Sequence, residues 1–530
     1  MPVPARAFAV PAALGVALAA ALGLGGCLSS WSPAPPVRAE HPGGPPPAPG
    51  LGRQPTGADV DPRPVVLDGA DLGPLLGIDP DSLVAVAWHG GRARRVPVQV
   101  DERFVYDLAT VYDGMEPGDC PRASWCRDVR GHAVQLGYAD AGTHVGPDPD
   151  PTLDALDEVA LLAADFGDRA PPGAVPPGVD PSSGVEVRVE VEGRARAATL
   201  WRRTGPGLRP PAPRLTYRAV FERGPYLATY DRAGRRPPWA GWPAGYPSGA
   251  RGGSNPERSW VQTPHYALAF SDRWVWDRLH VGPPGARGPD LLDVDMVMFG
   301  PGVCQRTPRT GSLSEGGFLV NTSGPVRAIR HAVGFNSGPL VEAVWTFYPR
   351  LVETRTTLRV HRIPGVMTFL DLSDAARGAV YRDSRFPDGV VVDGRPDGLG
   401  AGSVAWQAVE HEGRGWVTVH EVEAEDAEGE PAGVPVEAVY RDEARPYPPA
   451  CMTDGQFLGA HGVWARGPLR NTDPRHGPAG RLALRRRIAL GGGRVADLGA
   501  LQTPLVPRVR ALGPLAAPAA GSPNGPGGPD

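Results

Sequence analysis

Leu83-Val84-Ala85-Val86-Ala87-Trp88-His89-Gly90-Gly91-Arg92-Ala93-Arg94-Arg95-Val96-Pro97-Val98-Gln99-Val100 is the stretch that decides the fold. Leu83 to Trp88 is a short apolar run of strand length, and His89-Gly90-Gly91 is a turn, since glycine adopts the left-handed backbone that a tight hairpin needs. Arg95 to Val100 then alternates polar and apolar residues in the manner of a returning strand. The pattern predicts a β-hairpin, and similar short runs recur along the rest of the chain.

In the N-terminal part, Val65 to Leu67 is apolar, Glu158 to Ala164 is a nearly continuous apolar run, and Val185 to Val191 alternates, turns at Gly193 and returns through Ala197 to Trp201. No stretch there keeps a 3.6-residue apolar period for three turns of helix, so a β-sandwich is expected over residues 63–203. From residue 204 onward the pattern repeats on a larger scale. Strands are predicted over Leu215–Phe221, Tyr226–Tyr230, Leu292–Phe299, Leu340–Tyr348, Val352–Val360, Trp416–Val422, Val434–Tyr440 and Leu482–Leu490. Asp374–Tyr381 is the one helix candidate, weakened by Gly378. About 440 residues lie between the two tails, more than the roughly 250 of a single large β-domain. The expectation is all-β, with a larger two-sheet sandwich over residues 204–510.

The ends have a different character. Ala7 to Leu24 is an apolar segment of Ala, Leu, Val and Gly with Arg6 as the only charge before it, which reads as a signal peptide and not a retained span. It ends in Leu24-Gly25-Gly26-Cys27, which resembles the lipobox of bacterial lipoproteins, with Gly25 in place of the more usual Ala or Ser. The resemblance implies cleavage before Cys27, acylation of its thiol and an envelope protein held on a membrane by its lipid, since several acyl chains are needed for stable anchoring. Residues 28–62 and 511–530 are Pro, Gly, Ser and Ala with few groups able to form a core, so a disordered tether and a disordered tail are expected.

Glycine and proline, 71 and 64 of 530 residues, are densest in those tails, and the interior carries enough Val, Leu, Ile and Trp in short runs to form a core. Every basic residue is Arg and none is Lys, which a coding bias toward Ala, Pro, Gly and Arg explains. Net charge is −4 with no basic stripe, which argues against a nucleic-acid partner. With Cys27 assigned to lipid, Cys120, Cys126, Cys304 and Cys451 form an even set, read in an exported chain as disulfides of open connectivity. Cys120 with Cys126 would close a small loop, and Cys304 with Cys451 would staple distant segments. Their spacing does not suit zinc.

Four sets of residues carry possible chemistry. Trp239, Trp242, Tyr246 and Trp260 lie in or beside a Pro-Gly-Arg loop, and Trp274 and Trp276 alternate with Val275 so that both indoles would share a strand face with Arg278 and His280. Such faces stack on sugar rings, and the competing reading places the same indoles in the core. Asp148, Asp150, Asp154, Asp157 and Glu158 form an acidic loop of the density Ca²⁺ takes, although it lacks the EF-hand order, and a solvated acidic loop before a buried strand is the preferred reading. No other cofactor is called for. Asp293 and Asp295 share one face of a strand whose other face is apolar, and a solvated acidic face is expected. The stretch from Tyr440 to His476 brings Arg441, His461, Asp473, Arg475 and His476 together in sequence, types able to serve a lyase or hydrolase as base, acid and cation, or to pair among themselves.

Some motifs are absent. Gly398-Leu399-Gly400-Ala401-Gly402 lacks Rossmann spacing, no nucleophile elbow occurs, and His411-Glu412 and His420-Glu421 lack a zincin's second His. Val96 to Arg103, together with Leu153-Asp154-Ala155-Leu156-Asp157-Glu158-Val159, resembles the opening β-domain of secreted bacterial proteins that include polysaccharide-lyase-like members. That resemblance implies a β-fold and an exported compartment, and it carries no catalytic residue. The sequence therefore points to a glycan-binding envelope lipoprotein, with a polysaccharide lyase or hydrolase and a structural scaffold as the other readings.

Overall fold

The computed structural model describes residues 63–108, 134–143, 145–191, 193–220, 256–272, 275–298, 316–334, 341–358, 361–425, 430–443, 456–471, 481–491, 501 and 505–512. The fold is all-β, built of antiparallel sheets. Cys27, Cys120, Cys126, Cys304 and Cys451 lie outside the described residues, as do Tyr226–Tyr230 and most of both tails. Among the described residues, no helix is long and apolar enough to cross a membrane.

The N-terminal part runs β1 (Pro64–Asp68), β2 (Leu83–His89), β3 (Arg92–Val96), β4 (Gln99–Asp101), β5 (Arg103–Asp107) and β6 (Val134–Tyr138). It continues with β7 (Glu158–Leu162), β8 (Val185–Val191) and β9 (Arg194–Arg202). The opening hairpin forms around Gly90 and Gly91, both at positive φ, with His89 paired to Arg92. The returning strand stops at Val96, short of the expected Val100, because Pro97 has no N–H to continue the ladder. β4 instead leaves that sheet and pairs with β7, Asp101 opposite Glu158.

The next strands are β10 (Thr216–Arg218), β11 (Pro256–Gln262), β12 (Tyr266–Asp272), β13 (Val275–Val281) and β14 (Leu292–Met298). Then come β15 (Gly316–Ser323), β16 (Ala328–Gly334), β17 (Val341–Phe347), β18 (Leu351–Leu358) and β19 (His361–Leu372). The chain closes with β20 (Val380–Asp383), β21 (Phe386–Val391), β22 (Gln407–His411) and β23 (Arg414–Glu425). β24 (Val436–Glu443), β25 (Phe457–Asn471), β26 (Arg481–Gly491) and β27 (Arg508–Ala511) end it. The helix candidate at 374–381 is a single 3₁₀ turn, Asp374–Ala376, followed directly by β20, consistent with Gly378 at positive φ between them.

A five-stranded sheet, β27-β8-β9-β2-β3, packs against the three-stranded β1-β7-β4 through Val65, Leu67, Val159, Leu161, Val187 and Leu200. β27 brings the end of the described chain back to this N-terminal sheet. A nine-stranded sheet, β15-β16-β17-β18-β26-β23-β22-β20-β21, faces two four-stranded sheets, β10-β11-β12-β13 and β14-β19-β25-β24. Their interior is filled by Phe270, Trp276, Phe347, Trp416, Leu370 and Ile488, all buried.

The apolar run of β7 now has its reason. Val159 and Leu161 face the N-terminal core, while Ala160 and Leu162 pack on Leu351, Val417 and Ala489 on the outer surface of the nine-stranded sheet. A strand covered on both faces has no solvent side to make polar, so alternation is lost. The β5–β6 ribbon covers another part of that outer surface, Tyr106 and Tyr138 packing with Leu319, Ile329 and Val333.

A candidate cation and ligand pocket

The two sequence stretches that carry the β-domain resemblance meet in space. Pairing of β4 with β7 sets Glu102 and Arg103 beside the loop that ends in Asp157 and Glu158. The Arg103 backbone N–H donates to Asp157 Oδ1 at 2.8 Å, its Nε to the Leu156 carbonyl and its Nη1 to Glu158 Oε1 at 2.6 Å. Asp157 is fully buried and its Oδ2 accepts the Asp154 N–H.

Behind this corner a buried network ties the N-terminal part to the large sandwich. Gln99 Oε1 accepts the N–H groups of Val326 and Arg327, and Gln99 Nε2 donates to Asp101 Oδ1. Arg327 Nε donates to Asp101 Oδ2 at 2.8 Å, while its Nη2 and the Tyr138 hydroxyl both reach Glu158 Oε2. Burial opposes ionisation of Glu158, but Arg327 and Arg103 together outweigh it and hold the carboxyl below its usual range.

Beside the network a pocket of about 590 Å³ opens between the β3–β5 corner, the 147–151 loop and the end of β15. Arg95, Glu102, Asp148, Asp140 and Ser323 are among its lining residues. Carboxylate oxygens of Glu102, Asp148 and Asp157 lie within 4.8 Å of one another. Both Oε atoms of Glu102 and Oδ2 of Asp148 have no hydrogen-bond partner among the described residues, and neither has Nε of Arg95, which lines the same pocket. Burial, followed by Asp157 and Asp148, lifts the Glu102 carboxyl to about 7. The carboxyls of Asp148 and Asp157 also rise, again chiefly by burial.

The acidic loop thus divides its members. Asp150 accepts Thr152 N–H and Oγ1–H, and Asp154 accepts Leu156 N–H, so both serve the turns of their own loop. Glu158 is committed to Arg103, Arg327 and Tyr138. Asp148 and Asp157 remain, joined by Glu102, which the spacing within the loop could not reveal because it lies on a different strand.

The other expected sites fare differently. Trp276 is fully buried and its Nε1 donates to the Arg278 carbonyl. Alternation put it with Arg278 and His280, but Phe270 pairs with Trp276 and Ala269 with Arg278, so Asp277 is an extra bulged residue. The bulge returns Trp276 to the core face with Leu279 and Val281. Trp260 is buried too, and Trp239, Trp242, Tyr246 and Trp274 lie outside the described residues.

Asp293 and Asp295 are buried, not solvated, because β14 is covered on both faces; Asp295 Oδ2 accepts from Arg486 Nη2 at 2.7 Å. His461 points into the sandwich, its Nε2 accepting from Trp416 Nε1 and its Nδ1–H donating to the Gly459 carbonyl. Arg441 bonds Glu443 and lies over the Phe457 ring. Asp473, Arg475 and His476 lie outside the described residues.

No protein-family model matches the chain, and no curated protein matches it. Among solved structures, that of HI1317 is similar over 44% of this chain and 96% of its own, at 9% identity and a TM-score of 0.26. A likeness that slight carries no argument about fold or function.

Proposed function

We propose that the chain is a lipid-anchored envelope protein that binds a glycan in the pocket above Glu102. The observation that carries this reading is the pocket itself, of the size that holds a small ligand and walled by polar groups lacking partners among the described residues. Sugar hydroxyls donate to carboxylates and accept from guanidinium N–H groups, and Glu102, Asp148 and Arg95 offer both kinds of partner. The lipid on Cys27 holds the body at the membrane, and the Pro-Gly segment after it gives the body reach.

A glycan array probed with the full chain in detergent, followed by calorimetry on the best hit, tests this. Binding should fall at least tenfold in Glu102→Gln and in Arg95→Met. A wild-type chain that binds no glycan, or variants that bind unchanged, would remove the reading. Mass spectrometry of the mature N-terminus, with Cys27→Ser as control, tests the anchor.

One observation favours a hydrolytic variant of the same reading. A carboxyl lifted to about 7 beside a second carboxylate has the properties of a general acid paired with a nucleophile or base. Release of reducing ends from the bound glycan, abolished in Glu102→Gln, would identify it.

A further inference from the structure

We propose that the end of the N-terminal sheet at which the chain enters the body is a docking face for an anionic phospholipid bilayer, carried by Arg92, Arg94, Arg194 and Arg196. The inference deepens the lipid-anchor reading and rests on it for the presence of a membrane. β2–β3 and β8–β9 are hairpins of one antiparallel sheet, and their turns, at Gly90-Gly91 and Gly193, lie at the same end of it. The segment that follows β7 joins them there, Gly167 pairing with Ala197 and Asp168 with Trp88.

One face of these hairpins packs into the core through Ala85, Ala87, Val96, Val187, Val189 and Ala198. Where the core ends, the same face turns basic: Arg94 stands opposite Ala87, Arg92 opposite His89, Arg196 opposite Val189 and Arg194 opposite Val191. Arg92, Arg94 and Arg194 are exposed and Arg196 is half-buried, and none of the four makes a hydrogen bond or ion pair among the described residues. On the large sandwich, by contrast, exposed Arg377 pairs with Asp374 and exposed Arg466 with Glu437. Acids at the basic end are otherwise engaged. Asp165 pairs with Arg214, Asp168 Oδ2 accepts the Gly90 N–H, and Glu190 stands opposite Ala195 on the other face of β8. Guanidinium groups without carboxylate partners suit phosphate, which they bind through two parallel hydrogen bonds.

The occupant follows from where the chain enters. Pro64 opens β1 opposite Leu162, the last residue of β7, and the Ala163 N–H donates to the Arg63 carbonyl. A 3₁₀ turn, Ala163–Asp165, then leads straight to Gly167 and Asp168 between the two hairpins. The segment from Cys27 therefore joins the body at its basic end. β27 also starts here, antiparallel to β8, and Val506 just ahead of it is 78% exposed, an apolar side chain of the kind interfacial surfaces bury among headgroups. The whole chain carries a net charge of −4, so an anionic bilayer attracts it only through a local patch, and that attraction fixes the body's orientation. Leu83, at the other end of β2, lines the ligand pocket, which the docked body would hold away from the bilayer.

Vesicle sedimentation of the mature chain carrying Cys27→Ser, in which no acyl chain contributes, is the test. At low salt it should bind phosphatidylcholine vesicles that contain phosphatidylglycerol and ignore phosphatidylcholine alone, and about 0.5 M NaCl should release it as the charges are screened. The double variant Arg92→Gln/Arg194→Gln should bind at least tenfold more weakly, at roughly fivefold per arginine near the surface. Arg377→Gln/Arg395→Gln, two exposed arginines of the large sandwich, should bind as the wild type does. All three chains should melt at the same temperature, which separates lost docking from misfolding. In the acylated chain on the same vesicles, phosphatidylglycerol should slow hydrogen exchange at residues 90–94 and 193–196. No uptake on phosphatidylglycerol, equal losses in both double variants, or duplex DNA bound as tightly as the vesicles would overturn the proposal. An unmodified Cys27 in the native protein would remove the anchor, whereas vesicle binding that persists in the Cys27→Ser chain keeps the docking face.

Discussion

Arg330 on β16 and Glu257 on β11 face each other across the interior of the large sandwich as a doubly hydrogen-bonded ion pair. Nη1 donates to Oε2 at 2.9 Å and Nη2 to Oε1 at 2.6 Å, both side chains being fully buried. The guanidinium lies over the rings of Phe270 at 3.9 Å and Phe318 at 4.4 Å. Two charges so far from water hold only because each supplies the other's solvation.

Breaking that pair from one side should therefore be severe. Glu257→Gln or Arg330→Met is expected to cost about 3 to 5 kcal/mol, because the surviving charge stays buried without its partner. The double variant Glu257→Leu/Arg330→Met should recover much of the loss. Urea unfolding of the three variants measures this; a double variant as unstable as the sum of the singles would show that the two side chains are not energetically coupled and would overturn the account.

Trp276 discriminates core from binding surface. Trp276→Ala should destabilise by about 3 to 5 kcal/mol, the range for a large aromatic removed from a packed core. Glycan affinity, measured where the variant is still folded, should not change. A stable Trp276→Ala chain that has lost affinity would instead restore the indole to the ligand face.

What the sequence shows and what it hides both follow from local periodicity. Strand identity was readable where one or both faces are apolar, as in β2, β7 and β8, and the Gly90-Gly91 turn was readable because two consecutive left-handed residues require such a pair. The Asp277 bulge was not, since one inserted residue inverts every later face without altering the composition. The pocket was half visible. Asp148 and Asp157 stood out as acids in one loop, but Glu102 joins them only through the β4–β7 ladder, a pairing between strands more than fifty residues apart. No spacing rule encodes such a long-range register.

Gly69 is expected to govern the geometry of the acidic loop from outside it. Its N–H donates to the Asp157 carbonyl at 2.8 Å, and a Cβ there would lie 1.8 Å from the Asp154 carbonyl oxygen. Gly69→Ala must push the Asp154–Asp157 backbone away, at the roughly 1 to 3 kcal/mol typical of overpacking. Gly73→Ala, in the same 3₁₀ segment with nothing within 4 Å of its Cβ, should leave stability unchanged. Equal effects from the two substitutions, read by urea unfolding, would count against the steric account.

Acid sensitivity should arise in the sandwich interior at His461. Burial, with Arg486 nearby, lowers its imidazole to about 4, against about 6.5 in an unfolded chain. Protonation would also place an Nε2–H against the Trp416 N–H that now donates to that nitrogen. His420, paired with Arg486 across β23 and β26, is lowered in the same direction. Because the unfolded state binds these protons more readily, stability is fully present above about pH 6.5 and falls as pH drops toward 4, by on the order of 1 kcal/mol per pH unit for each linked histidine. His461→Gln keeps a polar side chain in the interior and removes one titrating group, so its unfolding free energy should fall less steeply over the same interval. Urea titrations from pH 7 to pH 4 read both slopes, and a variant as acid-sensitive as the wild type would place the sensitivity elsewhere.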